Sequence, residues 1–196
     1  MTIVSLRQRH TDRTRAAIAE AAMELFAERG FAATTVDDIA ARADVAPRTF
    51  FRYFPTKESI LFHDTETKLG MMREMLLARP IDEPAHLSLI AVFGALGEEF
   101  ASDPAKSQFI CRLATEEPKL LTRPRHLMIE HFEDDLVRVL AERAGTEPDL
   151  ALRAMTAALL SCVGVAFNDF INHGATGSFR ASLEEALAAC RIAFGG

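Results

Sequence analysis

Tryptophan is absent from this sequence, tyrosine occurs once, and 8 prolines and 10 glycines are thinly spread over 196 residues. The alternation of apolar and polar residues that a half-buried strand needs is missing too, which argues against a sheet. Three cysteines, Cys111, Cys162 and Cys190, lie far apart and form no C-x-x-C pair. Neither a disulfide framework nor a thiolate zinc site is indicated, and a reducing cytoplasm fits best. The opening MTIVSLRQRHTDRTR has no signal-peptide core, and the uncharged run from Ala154 to Phe167 is too short to cross a bilayer. A cytoplasmic chain without a membrane partner is therefore expected. Nor is there a phosphate loop, a Ser/His/Asp arrangement or a paired-carboxylate motif. An enzyme is not expected, and neither a cofactor nor a metal: His131 within EHFEDD (130–135) reads as part of a solvated acidic face, and His63-Asp64 is no convincing dyad.

What is present favours helix. Runs rich in Ala, Leu, Glu and Arg predict an all-α chain, and 49% hydrophobic with 26% charged residues is enough for one or two compact cores. Charge divides unevenly within the formal net of -6: residues 1–57 hold 9 Lys+Arg against 7 Asp+Glu, and the remainder holds 13 against 21. The two parts face different partners, and an acidic total does not bar nucleic acid, because only the local field of a docking face matters.

About nine helices are expected. The first runs from near Thr11 or Asp12 to Arg29, with Ile18, Ala22, Leu25 and Phe26 on one face and Gly30 as its stop. Thr35 can cap a second, two-turn helix carrying Val36, Ile39, Ala40 and Ala43 at helical spacing. Asp44-Val45-Ala46 is a tight connector, and Pro47 opens a third helix that must end by Phe54, the residue before Pro55. Thr56 is read as the cap of a long fourth helix reaching about Arg79, and later helices fall at 85–101, 105–115, 124–144, 148–173 and 179–194. A boundary at 56/57 then separates two domains, 1–56 and 57–196.

Two short helices joined by a tight turn match a helix-turn-helix, whose second helix enters the major groove of DNA. At about 100° per residue, Pro47, Phe50 and Phe54 share one side of the third helix, Arg48, Thr49 and Arg52 point away, and Phe51 and Tyr53 flank the two faces. Arginine binds guanine O6 and N7 as a bidentate fork, worth about 1–3 kcal/mol of discrimination per base pair. The order of cap, short helix, connector, Pro-started helix, aromatic pair and Pro resembles the DNA-binding domain of the TetR family of transcriptional regulators. The matching stretches are GFAATTVDDIAARADVA at 30–46 and TFFRYFPTKESIL at 49–61. Two departures are Ala46, which cannot cap, and Phe51, which has no hydroxyl for a phosphate; whether Phe50 or Phe51 faces DNA stays open.

The resemblance implies a dimeric, all-helical regulator, read first as a repressor with an activator left open: an N-terminal three-helix DNA-binding domain, and a C-terminal helical bundle that binds an effector and dimerises. It assigns Thr35 and Thr49 to phosphate or groove contacts, Arg48 and Arg52 to base edges or phosphates, and Tyr53 and Lys57 to phosphates. Lys57 also lies where a helix N-terminus would favour an anion. Arg7, Arg9, His10, Arg13 and Arg15 form a basic approach. Met72, Met75, Phe93, Phe100, Phe109, Met128, Phe132 and Phe167 are candidates for an apolar pocket, with Arg112 and His131, or His63, as polar anchors for a small hydrophobic effector. Met155, Leu159, Cys162, Ala166, Leu183, Leu187 and Cys190 on the last two helices are the expected homodimer interface, which would set two reading heads on a pseudo-palindromic double-stranded operator. The competing reading is a helical small-molecule carrier or enzyme that keeps a vestigial helix-turn-helix.

Overall fold

Local capping chemistry fixes the first helices. The computed structural model describes the backbone of residues 6–63 and 65–193 and the side chains of 10–61, 63, 67–118, 120 and 132–190. Every regular element among them is helical, and the chain divides into two compact units, 1–63 and 64–196.

The first unit holds α1 (Leu6–Arg29), α2 (Val36–Arg42) and α3 (Pro47–Tyr53). α1 starts earlier than expected, since nothing in LRQRHTD breaks a helix. Thr35 caps α2 in a complete capping box: its Oγ1 accepts from Asp38 N (3.2 Å), and the Asp38 carboxylate accepts from Thr35 N (2.9 Å). α2 ends in a Schellman motif, with Val45 N donating to Ala40 O (2.9 Å) and Asp44 N to Ala41 O (3.3 Å). That motif places Asp44 in the left-handed region, φ 53. Ala46 makes no side-chain cap, and Pro47 sets the start of α3. Phe54 is extended before Pro55 and ends it.

The face Ile18, Ala22, Leu25 and Phe26 of α1 is buried, as are Ile39 and Ala40 of α2 and Phe50 and Phe54 around α3. Pro47, assigned above to the packed side, is exposed at the first position of its helix. The long fourth helix from Thr56 is also corrected. Thr56 does cap, accepting from Ser59 N (3.3 Å), but what it caps is a short 3-10 turn, Glu58–Phe62.

The second unit contains α4 (Thr65–Leu77), α5 (Ala85–Ala101), α6 (Pro104–Glu116), α7 (Pro118–Ala144), α8 (Leu150–Asn172) and α9 (Phe179–Ala193). Two prolines, Pro118 and Pro124, carry the same first-turn signal; Pro118 opens α7, and Pro124 lies inside it. α8 packs on α5, α6, α7 and α9. One apolar cluster joins Met72 and Leu76, Leu89 and Val92, and Leu136 and Leu140 to Leu159 and Leu160. A second gathers Ala166, Phe170, Phe179 and Leu183. The start of α9 is tied to α5 by Glu98, which accepts from Ser178 Oγ (2.7 Å) and Arg180 N (3.0 Å). Arg143 closes the α4–α5 connection on the end of α7, donating to Ser88 Oγ (2.7 Å) and Glu83 O (3.0 Å).

By length and composition α8 is apolar enough to cross a membrane, contrary to the reading of its uncharged run. The difference is that the helix continues past Arg153 and Asp169.

Candidate nucleic-acid interface

On α3 the inside and outside faces are cleanly separated. Phe50 is fully buried, with its ring centroid 5.8 Å from Phe54 and 5.3 Å from Phe51. Phe51 is 55% exposed, so the open choice between the two rings falls to Phe51 on the outer face. Arg48 and Arg52 are exposed, and Thr49 and Tyr53 are half-buried beside them.

Electrostatics separate these two arginines from their neighbours. Arg42 of α2 is held by Glu24 (3.1 Å) and Glu28 (2.9 Å) of α1, and Arg29 by Asp38 (2.8 Å). Hydrogen bonds from Thr35, and then from Arg29, hold the Asp38 carboxyl down to about 2. Among the described residues neither Arg48 nor Arg52 is ion-paired with an acid. Arg52 instead lies over the Tyr53 ring, 4.9 Å from its centroid, and donates to Tyr53 Oη (3.2 Å). Stacking on a ring leaves its charge intact and limits its rotamers. Arg15 stands 5.6 Å over Phe54; the side chains of Arg7 and Arg9 lie outside the described residues.

Lys57 does something the sequence reading missed. Its ammonium donates to Phe31 O (2.7 Å) and Thr34 O (2.8 Å), and lies 4.1 Å above the Phe31 ring. The helix-end rationale for a phosphate at Lys57 does not hold, because the 3-10 turn beginning at Glu58 is not the start of an α-helix. Lys57 braces the loop before α2. Lys57→Ala is expected to lower the stability of the first unit by about 1–3 kcal/mol, the scale for charged hydrogen bonds, as measured by thermal or urea unfolding. A mutant that melts like the parent would remove this bracing role. Thr35 is similarly committed, to the cap of α2.

The candidate effector residues split between the two clusters. Met72 and Phe132 belong to the first, with Met75 at its margin; Phe100 and Phe167 pack on the second, 5.3 Å apart, and Phe93 touches both. Phe109 is buried on α6, and Arg112 is exposed. The side chains of Met128 and His131 lie outside the described residues. His63 is part of the first unit, its ring beside Phe54. A groove of about 380 Å³ between α4 and α7 is lined by Leu69, Gly70, Arg73, Leu136, Val139 and Glu142 among others, and none of the described candidates lines it.

The expected interface residues also turn inward. Leu159, Cys162, Ala166 and Leu183 are buried within the single chain, and Met155, Leu187 and Cys190 are half-buried. The exposed stripe of α8 is the neighbouring one: Ala154, Ala158, Ser161 and Val165, spaced four, three and four apart. An α-helix that is apolar all round gives no sequence signal for which side faces in.

Residues 18–63 match the profile described as bacterial regulatory proteins, tetR family. The transcriptional regulator TcmR of Streptomyces glaucescens is 34% identical over 154 residues, covering 74% of this chain and 66% of that protein. The transcriptional repressor Rv3405c of Mycobacterium tuberculosis is 54% identical over 46 residues, 24% of either chain. These matches thus span two thirds or less of the relatives' own length. Among solved structures, Thermus thermophilus FadR, a TetR family repressor in complex with lauroyl-CoA, superposes with a TM-score of 0.61 at 26% identity, covering 89% of this chain and 91% of that one.

Proposed function

This chain belongs to the tetR family of bacterial regulatory proteins, and from that premise we propose that it is a ligand-responsive, DNA-binding transcriptional repressor of the cytoplasm. One observation carries the reading: α3 hides Phe50 and turns outward two arginines that no acid among the described residues neutralises, while Arg29 and Arg42 nearby are both paired. Arg48 and Arg52 read base edges or phosphates, with Thr49 and Tyr53 beside them. The second unit senses a small hydrophobic effector, a reading supported by its apolar clusters and by the lauroyl-CoA bound to the FadR relative. An effector releases the operator only if it binds the DNA-incompetent form better.

The repressor acts as a homodimer through its last two helices. Only 33% of the most apolar stretch of α8 is buried within one chain, and its outer stripe of Ala154, Ala158, Ser161 and Val165 is small enough for a close helix pairing. Val165 is 63% exposed; Val165→Glu is expected to leave the subunit folded, convert the dimer to monomer in sedimentation, and weaken operator binding. A dimer untouched by this change would move the interface elsewhere.

Selection of bound duplexes from a random pool tests the reading itself. Arg52→Ala should relax base preference by about 1–3 kcal/mol, and Arg48→Ala with Arg52→Ala should reduce binding to the steeply salt-dependent, sequence-independent level. A double mutant that selects the same sequences with the same affinity points instead to a carrier with an idle helix-turn-helix.

A further inference from the structure

Phe51 is 55% exposed on α3, while every other phenylalanine ring among the described residues is buried or half-buried. Its neighbours one helical turn back are Pro47 and Arg48, both exposed as well. The ring is nevertheless held in place. It meets the fully buried Phe50 edge-on, with 83° between the planes and 5.3 Å between centroids, and Phe50 in turn packs on Phe54. A phenyl group thus stands at a fixed place on a face otherwise made of guanidinium and hydroxyl groups.

What such a ring can recognise follows from what it lacks. Arg48, Thr49, Arg52 and Tyr53 carry hydrogen-bonding groups, but a phenyl ring has no donor to offer a phosphate oxygen. In the major groove, guanine, adenine and cytosine present acceptors or donors that a covering ring would strip of water without replacing. Thymine alone presents a methyl group, at C5, beside its single acceptor. Only there does apolar surface meet apolar surface.

We propose that Phe51 reads thymine, by packing its ring on the C5 methyl of one base in the major groove. It adds a base preference that the hydrogen-bonding side chains of α3 do not supply. Because Phe50 already holds the ring, little side-chain freedom is lost when the base arrives. The assignment rests on reading α3 as the helix that meets DNA.

Deoxyuridine isolates the methyl. The duplex selected from a random pool is remade with deoxyuridine for one thymine at a time, which removes the methyl and keeps the pairing. At the position under Phe51 the parent protein should bind about fourfold more weakly, the worth of one buried methyl. Phe51→Ala should bind the thymine and uracil duplexes alike in gel shifts. A loss that is equal in parent and Phe51→Ala arises in the duplex itself and overturns the proposal, as does a parent indifferent to every methyl. In both cases the DNA-reading role stands, since a sequence has been selected. If the parent selects no sequence, that role falls and the assignment of Phe51 falls with it. A second measurement leaves the protein unaltered: 5-iodouracil at the sensitive position should crosslink under ultraviolet light to Phe51, located by fragmenting the crosslinked peptide. A crosslink on Thr49, which also carries a methyl, would overturn the assignment.

Discussion

Phe50→Ala is expected to unfold the first unit and abolish duplex binding while the helices of the second unit persist. The ring is fully buried and packs on Phe51 and Phe54. Truncating a buried Phe costs about 3–5 kcal/mol. A unit of some sixty residues has, at about 0.05–0.15 kcal/mol per residue, only about 3–9 kcal/mol in hand. Loss of one ring consumes most of that. Circular dichroism of the full chain should show a partial loss of helix with a second transition intact, and gel shifts should show no complex. Phe51→Ala, at an exposed ring, is the control: the fold should survive. A Phe50→Ala protein that melts and binds like the parent would dismantle the inward assignment of Phe50 and with it the outward one of the arginines.

Gly97→Ala should destabilise the second unit, although glycine to alanine inside a helix ordinarily stabilises by about 1 kcal/mol. A Cβ at Gly97 would collide with Cδ1 of Phe179, and that ring is almost entirely buried. Phe179 also stacks edge-on against Phe170, 5.9 Å between centroids, so it has little room to retreat. Overpacking costs about 1–3 kcal/mol and overrides the helix gain. Gly70 of α4 provides the comparison within the same unit, since nothing lies within 4 Å of a Cβ there. Gly70→Ala should raise the melting temperature where Gly97→Ala lowers it. Adding Phe179→Leu to Gly97→Ala should recover part of the loss, a non-additive outcome that only contacting positions give. Two glycine substitutions shifting the melt in the same direction would refute the close approach of α5 and α9.

The reading helices were legible because their signals are local. Thr35 with Asp38, Pro47 and Pro55 act on backbone groups within four residues, and each marks an end that the structure keeps. The side of α3 followed from geometry alone, except for Pro47, exposed at the helix start, and for the adjacent Phe50 and Phe51, which only the tertiary core could rank. Lys57 was assigned from the resemblance and from its place at an expected helix start; that its ammonium reaches carbonyls 23 and 26 residues away depends on how the chain closes. In α8 hydrophobicity identified the helix but not its outward stripe, because leucine, cysteine and alanine circle it completely. The effector residues were chosen as large apolar side chains, a trait that core and pocket share, and none of the described ones lines the groove between α4 and α7.

The bend between α2 and α3 is held by main-chain bonds from Asp44 and Val45, and it needs a left-handed backbone at position 44 rather than a carboxylate there. Glycine or asparagine meets that requirement, while a β-branched residue would meet a steric penalty of about 1–2 kcal/mol. The negative charge at this corner is therefore dispensable to the geometry, yet it lies three residues before α3, the helix proposed to meet DNA. Evolution or an engineer could strengthen the grip on a duplex by neutralising that one position, without moving either helix.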